Sequence, residues 1–307
     1  MASAWHWVTI GTADMEGALD FWVGRLGFEC VAQAEGDDPG LREHWAVTDR
    51  NVARQAMVRS VGAKNGGMHL VEWDAAADSV RADAQVFDLC PKNLDIYVDD
   101  LPVRMAQLAE QGVVFRNEHY SEAVSPDGVH FRESHLAGHD DINIVLLQVI
   151  GSDTPIPDSG FYGVGPLVCI VRDPAEEKRF IDTVLGLSLS HNNILEGPEI
   201  EKMIGLPTGC ALEVSIWAEP GQALGELELV TYQGTDGADL YPRARPGARG
   251  VTHLNWQVDD IQALAAHLSA HGVSHSASTI NGGLIQSRAS LIFHSPAGLR
   301  LEAHLRQ

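Results

Sequence analysis

The sequence is poor in cysteine and in basic residues. Its four cysteines, Cys30, Cys90, Cys169 and Cys210, are far apart and form no CxxC pair. This spacing argues against a disulfide framework or a zinc ribbon and favours free thiols in a reducing compartment. Lys and Arg number 21 against 42 Asp and Glu, which gives a net charge of −21. That balance argues against nucleic acid and anionic membranes as partners, because both require a basic surface.

Long apolar runs are also missing. The sequence has no stretch of about 18 apolar residues, and the N-terminus shows no basic segment followed by an apolar one, so neither a membrane helix nor a signal peptide is predicted. We therefore expect a cytoplasmic protein whose partner is a small molecule; whether it forms a homo-oligomer stays open. The chain has 307 residues, 45% of them hydrophobic, which is enough for two folded domains.

The chain contains an internal duplication. The segment VTIGTADMEGALDFWVGRLGF (8–28) matches LVCIVRDPAEEKRFIDTVLGL (167–187) at an offset of 159. The segment 93–113 matches 253–273 at an offset of 160. Because several identities fall at nearly one offset, we infer that the two halves are copies of one design.

Each half divides again into two units. Every unit starts with an alternating, strand-like run, followed by Asp or Asp-Asp, an amphipathic helix and about three further short strands. This pattern predicts four βαβββ modules. The first half, 1–150, holds modules at about 1–75 and 90–150; the second, 161–307, holds modules at about 161–235 and 250–307; the Pro- and Gly-containing stretch 151–160 links them.

Four such modules in tandem resemble the vicinal oxygen chelate superfamily, which includes glyoxalase I, extradiol dioxygenases and the bleomycin resistance proteins. The resemblance is carried by DMEGALDFWVGRLGF, HLNWQVDDIQALAAHLSAHGV and SPAGLRLEAHL and extends over nearly the whole chain. It implies an α+β fold in which four βαβββ modules pair into two cupped mixed β-sheets with helices outside. It also implies one divalent metal ion (Fe, Mn, Zn or Ni) held in a cup by side chains from first and last strands.

The family's ligand positions can be placed on each module in turn. On the first strands they fall on Trp7, Asn93, Pro166 and His253, and on the last strands on His69, Ile142, Glu228 and Glu302. If the third module pairs with the fourth, the set is Glu228, His253 and Glu302. If the first pairs with the fourth, it is His69, His253 and Glu302. His253 and Glu302 belong to both sets, and the sequence leaves the third ligand open.

The resemblance implies a metalloenzyme acting on a small, apolar or aromatic, oxygen-bearing substrate. Standard ring cleavage is disfavoured because Ile292 stands where the extradiol enzymes have a tyrosine. Lyase or isomerase chemistry is favoured, with Glu228 as the catalytic base or displaceable ligand.

Three further residues are expected to contact the substrate. Trp7 and Asn93 occupy cup positions, and His294 is a substitute acid near the last strands. The alternative is a metal-free protein of the same fold that sequesters a small molecule. Trp7, Asn93, Pro166 and Ile142 favour it for at least one cup because they replace metal ligands, and the acidic charge suits a cationic ligand.

Overall fold

A computed structural model describes residues 3–306, apart from the side chain at position 141. The first module contains β1 (Trp7–Thr12), α1 (Met15–Leu19), β2 (Glu29–Glu35), α2 (Pro39–Trp45), β3 (Val52–Arg59) and β4 (Gly67–Trp73). The second contains β5 (Pro91–Val98), α3 (Leu101–Glu110), β6 (Ser121–Val124), β7 (His130–Ala137) and β8 (Asn143–Val149).

The second half repeats this order. The third module contains β9 (Phe161–Ile170), α4 (Pro174–Phe180), β10 (Ser188–Glu196), α5 (Pro198–Ile204), β11 (Ala211–Ala218) and β12 (Glu226–Gln233). The fourth contains β13 (Gly250–Val258), α6 (Ile261–Ala270), β14 (His275–Ile280), β15 (Ser287–His294) and β16 (Arg300–Leu305). The first and third modules therefore carry an extra short helix, α2 or α5, between their second and third strands.

The four main helices begin at the predicted aspartates. The side chains of Asp14, Asp100, Asp173 and Asp260 each accept a hydrogen bond from a backbone N–H of the first helical turn. These bonds satisfy amide groups that the helix itself leaves unpaired. None of the helices within residues 3–306 is long and apolar enough to cross a membrane.

The modules pair across the two halves of the chain. One eight-stranded sheet combines the first and fourth modules in the order β14-β15-β16-β13-β1-β4-β3-β2. The other combines the third and second in the order β10-β11-β12-β9-β5-β8-β7-β6. In each sheet two first strands run antiparallel at the centre: β1 beside β13, and β5 beside β9. The expected two mixed sheets are confirmed, and the pairing is first with fourth, one of the two alternatives that the sequence left open.

Alternation along the central strands separates the core from the cups. Val8, Ile10, Leu254 and Trp256 point into the main hydrophobic core. The intervening residues Trp7, Thr9, His253 and Asn255 point to the opposite, concave face because successive strand residues alternate. Each sheet thus has one face fixed by packing and one face free to carry function.

Candidate functional site

Three of the predicted ligand residues share the concave face of the sheet formed by the first and fourth modules. Thr9 of β1 pairs with His253 of β13 and with His69 of β4, so the three side chains lie side by side. Glu302 of β16 pairs with Asn255, two residues beyond His253 on the same face. His69, His253 and Glu302 are all completely buried or nearly so.

Helix α2 covers this face and reaches Glu302. His44 Nε2 lies 2.8 Å from Glu302 Oε2, and its Nδ1 lies 2.5 Å from the Ser278 hydroxyl. The indole N–H of Trp45 donates to the same carboxylate oxygen at 3.3 Å. We call the arrangement of His44, Trp45, His69, His253 and Glu302 the closed cup.

Glu302 is a stabilised carboxylate. Burial alone would raise its pKa, but His253, Arg300 and His44 together hold the pKa well below its ordinary value. The Arg300 Nε–H donates to Oε1 at 2.6 Å. The carboxylate is therefore charged and its hydrogen-bond donors hold it in place.

His69 presents an unpaired nitrogen to the closed cup. Its Nε2–H donates to Gln55 Oε1 at 2.9 Å, and the Gln55 amide nitrogen is oriented by Asp38, to which it donates at 3.1 Å. The lone pair therefore lies on Nδ1, which has no hydrogen-bond partner among the described residues. Burial lowers the pKa of His69 to about 3, so the ring is neutral at neutral pH.

His253 also has an unpaired ring nitrogen, in this case Nε2. The Thr252 hydroxyl donates to the backbone oxygen of Thr9 at 3.0 Å, so it accepts from His253 Nδ1–H at 2.9 Å. His253 Nε2 then carries the lone pair and lies 3.5 Å from Glu302 Oε1, with no hydrogen-bond partner in residues 3–306. Burial lowers the pKa of His253 to about 3. Two acceptor atoms, His253 Nε2 and Glu302 Oε1, thus lie close together in a buried site, an arrangement that a cation bound to both would stabilise.

A second donor set shares Glu302. Atoms of His44, Glu302 and His304 lie within 4.8 Å of one another and could hold a metal ion. His304, however, already bonds Asn255 Oδ1 through Nε2 at 3.0 Å and the Ser290 hydroxyl through Nδ1 at 2.9 Å. The donor atoms of His69, His253 and Glu302 do not all lie within 4.8 Å of one another; these two histidines are favoured as partners for Glu302 because each keeps an unpaired nitrogen. Imidazole and carboxylate donors suit Fe, Mn, Zn or Ni, so the residues present fit the expected metal.

Comparisons with known proteins give matches among solved structures, whereas no family model and no curated protein matches the chain. Glyoxalase I from Zea mays superposes with a TM-score of 0.65 at 12% identity, covering 98% of this chain and 92% of that one. A putative dioxygenase from Bacillus subtilis subsp. subtilis str. 168 gives 0.64 at 15% identity, covering 99% and 85%. The chain has the vicinal oxygen chelate fold. At these identities the likeness establishes the fold alone.

Within this vicinal oxygen chelate fold, Glu228 and Asn93 lie apart from the closed cup. Both belong to the sheet of the second and third modules, on β12 and β5. The set of Glu228, His253 and Glu302 therefore does not form, because His253 and Glu302 pair with the first module instead. The third candidate ligand beside them is His69.

The two remaining predicted contacts occupy different surroundings. Trp7 lies in the closed cup, where its indole stacks on His304 with the ring centroids 5.6 Å apart. His294 is exposed at the end of β15, opposite Arg300 on β16. Trp7 thus fills the cup rather than lining a space, and His294 stands at its rim.

The last-strand position of the second module was misplaced by the repeat spacing. The expected residue was Ile142, but Val145 pairs with Asp95 as Glu302 pairs with Asn255. The shift arises between the first and third strands of the modules: Asn93 and His135, which pairs with Val145, are 42 positions apart, whereas His253 and Ile292, which pairs with Glu302, are 39 apart. Val145 supplies no ligand either, so the conclusion that this module lacks a last-strand ligand is unchanged.

Sequence reasoning missed His44 and Trp45. Their helix α2 begins at Pro39, and α5 begins at Pro198, which is again an offset of 159. This match in the duplication was the available signal. It also shows that Met203 and Ile204 of α5 correspond to His44 and Trp45.

The sheet of the second and third modules contains a cavity of about 190 Å³. Met203 and Ile204 of α5 line it in place of His44 and Trp45. At the position that corresponds to Trp7, this sheet has Pro166. We call this cavity the open cup, defined by Asp95, Glu226, Glu228, Met203 and Ile204.

The open cup is acidic. Burial, reinforced by Glu133 and Glu226, raises the pKa of Glu228 to about 8. Burial also raises the pKa of Glu226 to about 7, against the opposing hydrogen bond that the Tyr97 hydroxyl donates at 2.9 Å. The pKa of Asp95 is raised well above its ordinary value, first by burial and then by Glu228.

Proposed function

We propose that the closed cup holds one divalent metal ion on His69, His253 and Glu302. The observation that carries the proposal is the pair of buried, neutral imidazoles with unpaired nitrogens at the positions where the fold's ligands are expected. Leaving two buried acceptors unsatisfied costs about 1–3 kcal/mol each, which binding of a cation would recover. Gln55 and Thr252 fix the two rings from behind, as outer-shell groups do in metal sites.

We further propose that this site makes the chain a metalloenzyme for a small oxygen-bearing molecule. A metal ion bound there supplies Lewis-acid polarisation of a carbonyl or enolate oxygen, which serves lyase or isomerase chemistry. Ile292 faces Glu302 across β15 and β16, so this cup face carries no tyrosine at the position used for ring cleavage. His44, hydrogen-bonded to both Glu302 and Ser278, replaces Glu228 as the group that can hold a proton at Nε2.

Access to the site depends on α2. In this structure His44 and Trp45 fill the space over Glu302, and Trp45 packs edge-on against His253 at 5.2 Å between the ring centroids. A substrate that reaches the metal must displace these side chains. Trp7, which stays in the cup, would help to exclude water from the bound substrate, and this strengthens electrostatic interactions in the site.

The test is elemental analysis of the full chain purified without a metal-binding tag. We expect close to one equivalent of Fe, Mn, Zn or Ni in the parent protein and loss of it in His69→Ala and in His253→Ala. Glu228→Gln, a change in the other cup, should retain the metal. Absence of stoichiometric metal, even after anaerobic loading with each ion, would contradict the proposal.

A second candidate function is suggested by the cavity in the other sheet. The open cup has a largely apolar lining and a volume of about 190 Å³, which suits a compact ligand at the small end of small-molecule sites, and the described residues place no group of three metal donors there. A neutral apolar compound such as phenylbutanol should bind there, and Val168→Trp, which fills the cavity, should abolish its binding. Equal binding by the parent and the filled variant would argue against this site.

A further inference from the structure

The floor and the wall of the open cup differ in chemistry. Its wall is apolar and comes from several elements: Phe131, Leu147, Met203, Ile204, Val214 and Ile216 all line the cavity. Its floor carries the carboxyl groups of Asp95, Glu133, Glu226 and Glu228. A ligand that satisfies both must combine an apolar body with a group that pairs with carboxylates.

The charges in the cavity do not balance. Against those four carboxyl groups stands the ammonium group of Lys92, which donates to the Tyr232 hydroxyl at 2.9 Å. Two histidines also line the cavity, but they are already engaged. His135 lies 3.2 Å from Glu133, and His191 lies 2.9 Å from Asp127 at the surface.

Two of the carboxyl groups have no hydrogen-bond or ion-pair partner among the described residues. Asp95 is only 6% exposed, lines the cavity, and its Oδ1 finds no hydrogen-bond donor among the described residues. For Glu228, no side-chain hydrogen bond or ion pair is found within residues 3–306 either. A buried carboxylate without a partner is unfavourable, and the raised pKa values show that these groups hold protons when nothing else neutralises them.

The arrangement disfavours a metal ion and an anion. Among the described residues, three donor atoms of His, Cys, Asp or Glu come within 4.8 Å of one another only in the closed cup. The open cup offers no such group of three donors, and among the described residues it has no buried imidazole with an unpaired nitrogen of the kind that the closed cup contains. An anion would be repelled by the carboxyl groups. A larger cation, with its charge on several N–H groups or on an extended head, matches their spread.

We propose that the open cup binds an organic cation, an ammonium or amidinium group on an apolar body, with the charge beside Asp95, Glu226 and Glu228 and the body against the apolar wall. This inference rests on the second candidate function and specifies its ligand class. It is independent of the metal proposed for the closed cup.

Binding of a matched pair of probes tests the inference. Phenylalkylammonium ions of increasing chain length and the alcohols of the same lengths are titrated calorimetrically into the full chain at neutral pH. We expect the best ammonium ion to bind about ten-fold or more tightly than its alcohol, since a hydrogen bond to a charged group contributes about 1.5–3 kcal/mol. Binding of the cation should also release protons, which a comparison of buffers with different ionisation enthalpies detects.

Variants test which carboxyl groups cause the preference for the cation. Glu228→Gln and Asp95→Asn should each reduce the preference for the cation while leaving alcohol binding unchanged, which also shows that the variants are folded. Glu196→Gln is the control, because Glu196 is exposed and absent from the cavity lining. Equal affinity for ammonium ion and alcohol would overturn the cation inference and leave the binding cavity standing. No binding of any probe at millimolar concentration would overturn both.

Discussion

The two cups are built from corresponding strand and helix positions but carry different side chains at those positions. Where the closed cup has Trp7, His69, His253, Glu302, His44 and Trp45, the open cup has Pro166, Glu228, Asn93, Val145, Met203 and Ile204. The closed cup is filled by aromatic rings around one carboxylate. The open cup has smaller side chains, a cavity, and four carboxyl groups that outnumber the single ammonium group of Lys92.

The difference shows how one duplicated scaffold can separate two roles. The strands and their hydrogen bonds fix where each side chain of a cup is placed. The identity of that side chain then decides whether the place holds a cavity, a charged group or a metal-binding atom. Exchanging Trp for Pro on one central strand and Trp for Ile on one short helix removes two large rings. The space left behind is consistent with the cavity in the sheet of the second and third modules.

The largest effect on stability is expected at the carboxylate of the closed cup. Glu302→Ala should lower the free energy of unfolding by about 3–5 kcal/mol, because it leaves the buried His44 and the partly buried Arg300 without their acceptor. The matched change Val145→Ala in the open cup should cost about 1–2 kcal/mol, the value of the buried carbon atoms removed. Urea unfolding of metal-free protein measures both. Similar losses of stability in the two variants would contradict the proposed difference between the closed and open cups.

A slightly smaller effect is expected from the ring that fills the closed cup. Trp7→Ala removes the indole stacked on His304 and should cost about 3–4 kcal/mol through lost contacts and the space it leaves. Pro166→Ala, at the corresponding position, should cost about 1 kcal/mol or less because fewer atoms are removed. If thermal unfolding shows that Pro166→Ala is the more damaging change, the assignment of filled and open cups is wrong.

The third effect concerns the pH dependence of stability. Glu228 has an ordinary pKa of 4.5 when unfolded and a pKa of about 8 when folded, so the folded state binds the extra proton between those values. Stability should therefore fall as pH rises from about 4.5 to 8. The other ionisable groups facing Glu228 are Asp95, Glu133, Glu226, Lys92 and Tyr232. Asp95 and Glu226 act in the same direction, and Lys92, whose pKa burial lowers to about 8, acts at higher pH.

Glu228→Gln should make this pH dependence shallower, whereas Glu196→Gln should leave it unchanged. The measurement is the free energy of unfolding at a series of pH values for the three proteins. A parent protein whose stability rises steadily over this range, or a Gln variant with an unaltered slope, would argue against an unpaired carboxyl group in the open cup.

The fold could be predicted from sequence because the signals that define it are local and repeated. The aspartates that begin the helices, the alternating strands and the matching offsets each specify a module without knowledge of its neighbours. His69, His253 and Glu302 could be placed as candidates for the same reason. Their positions follow from counting along strands of similar length in the duplicated halves.

The partners of each module could not be predicted, since which first strands lie side by side is a long-range choice. Glu228 was therefore grouped with His253, although the two belong to different sheets. His44 was missed because α2 reaches Glu302 across a sequence distance that no local pattern reports. Ile142 was misplaced because a connection of different length shifted the count.

The most direct test of the account is an anomalous-difference map from crystals of the metal-loaded full chain, collected at the absorption edge of the bound ion. The account predicts one strong peak in the closed cup, beside His69, His253 and Glu302, and none in the open cup. A peak beside Glu226 and Glu228, or an empty closed cup in protein that contains stoichiometric metal, would contradict the division of roles between the two cups.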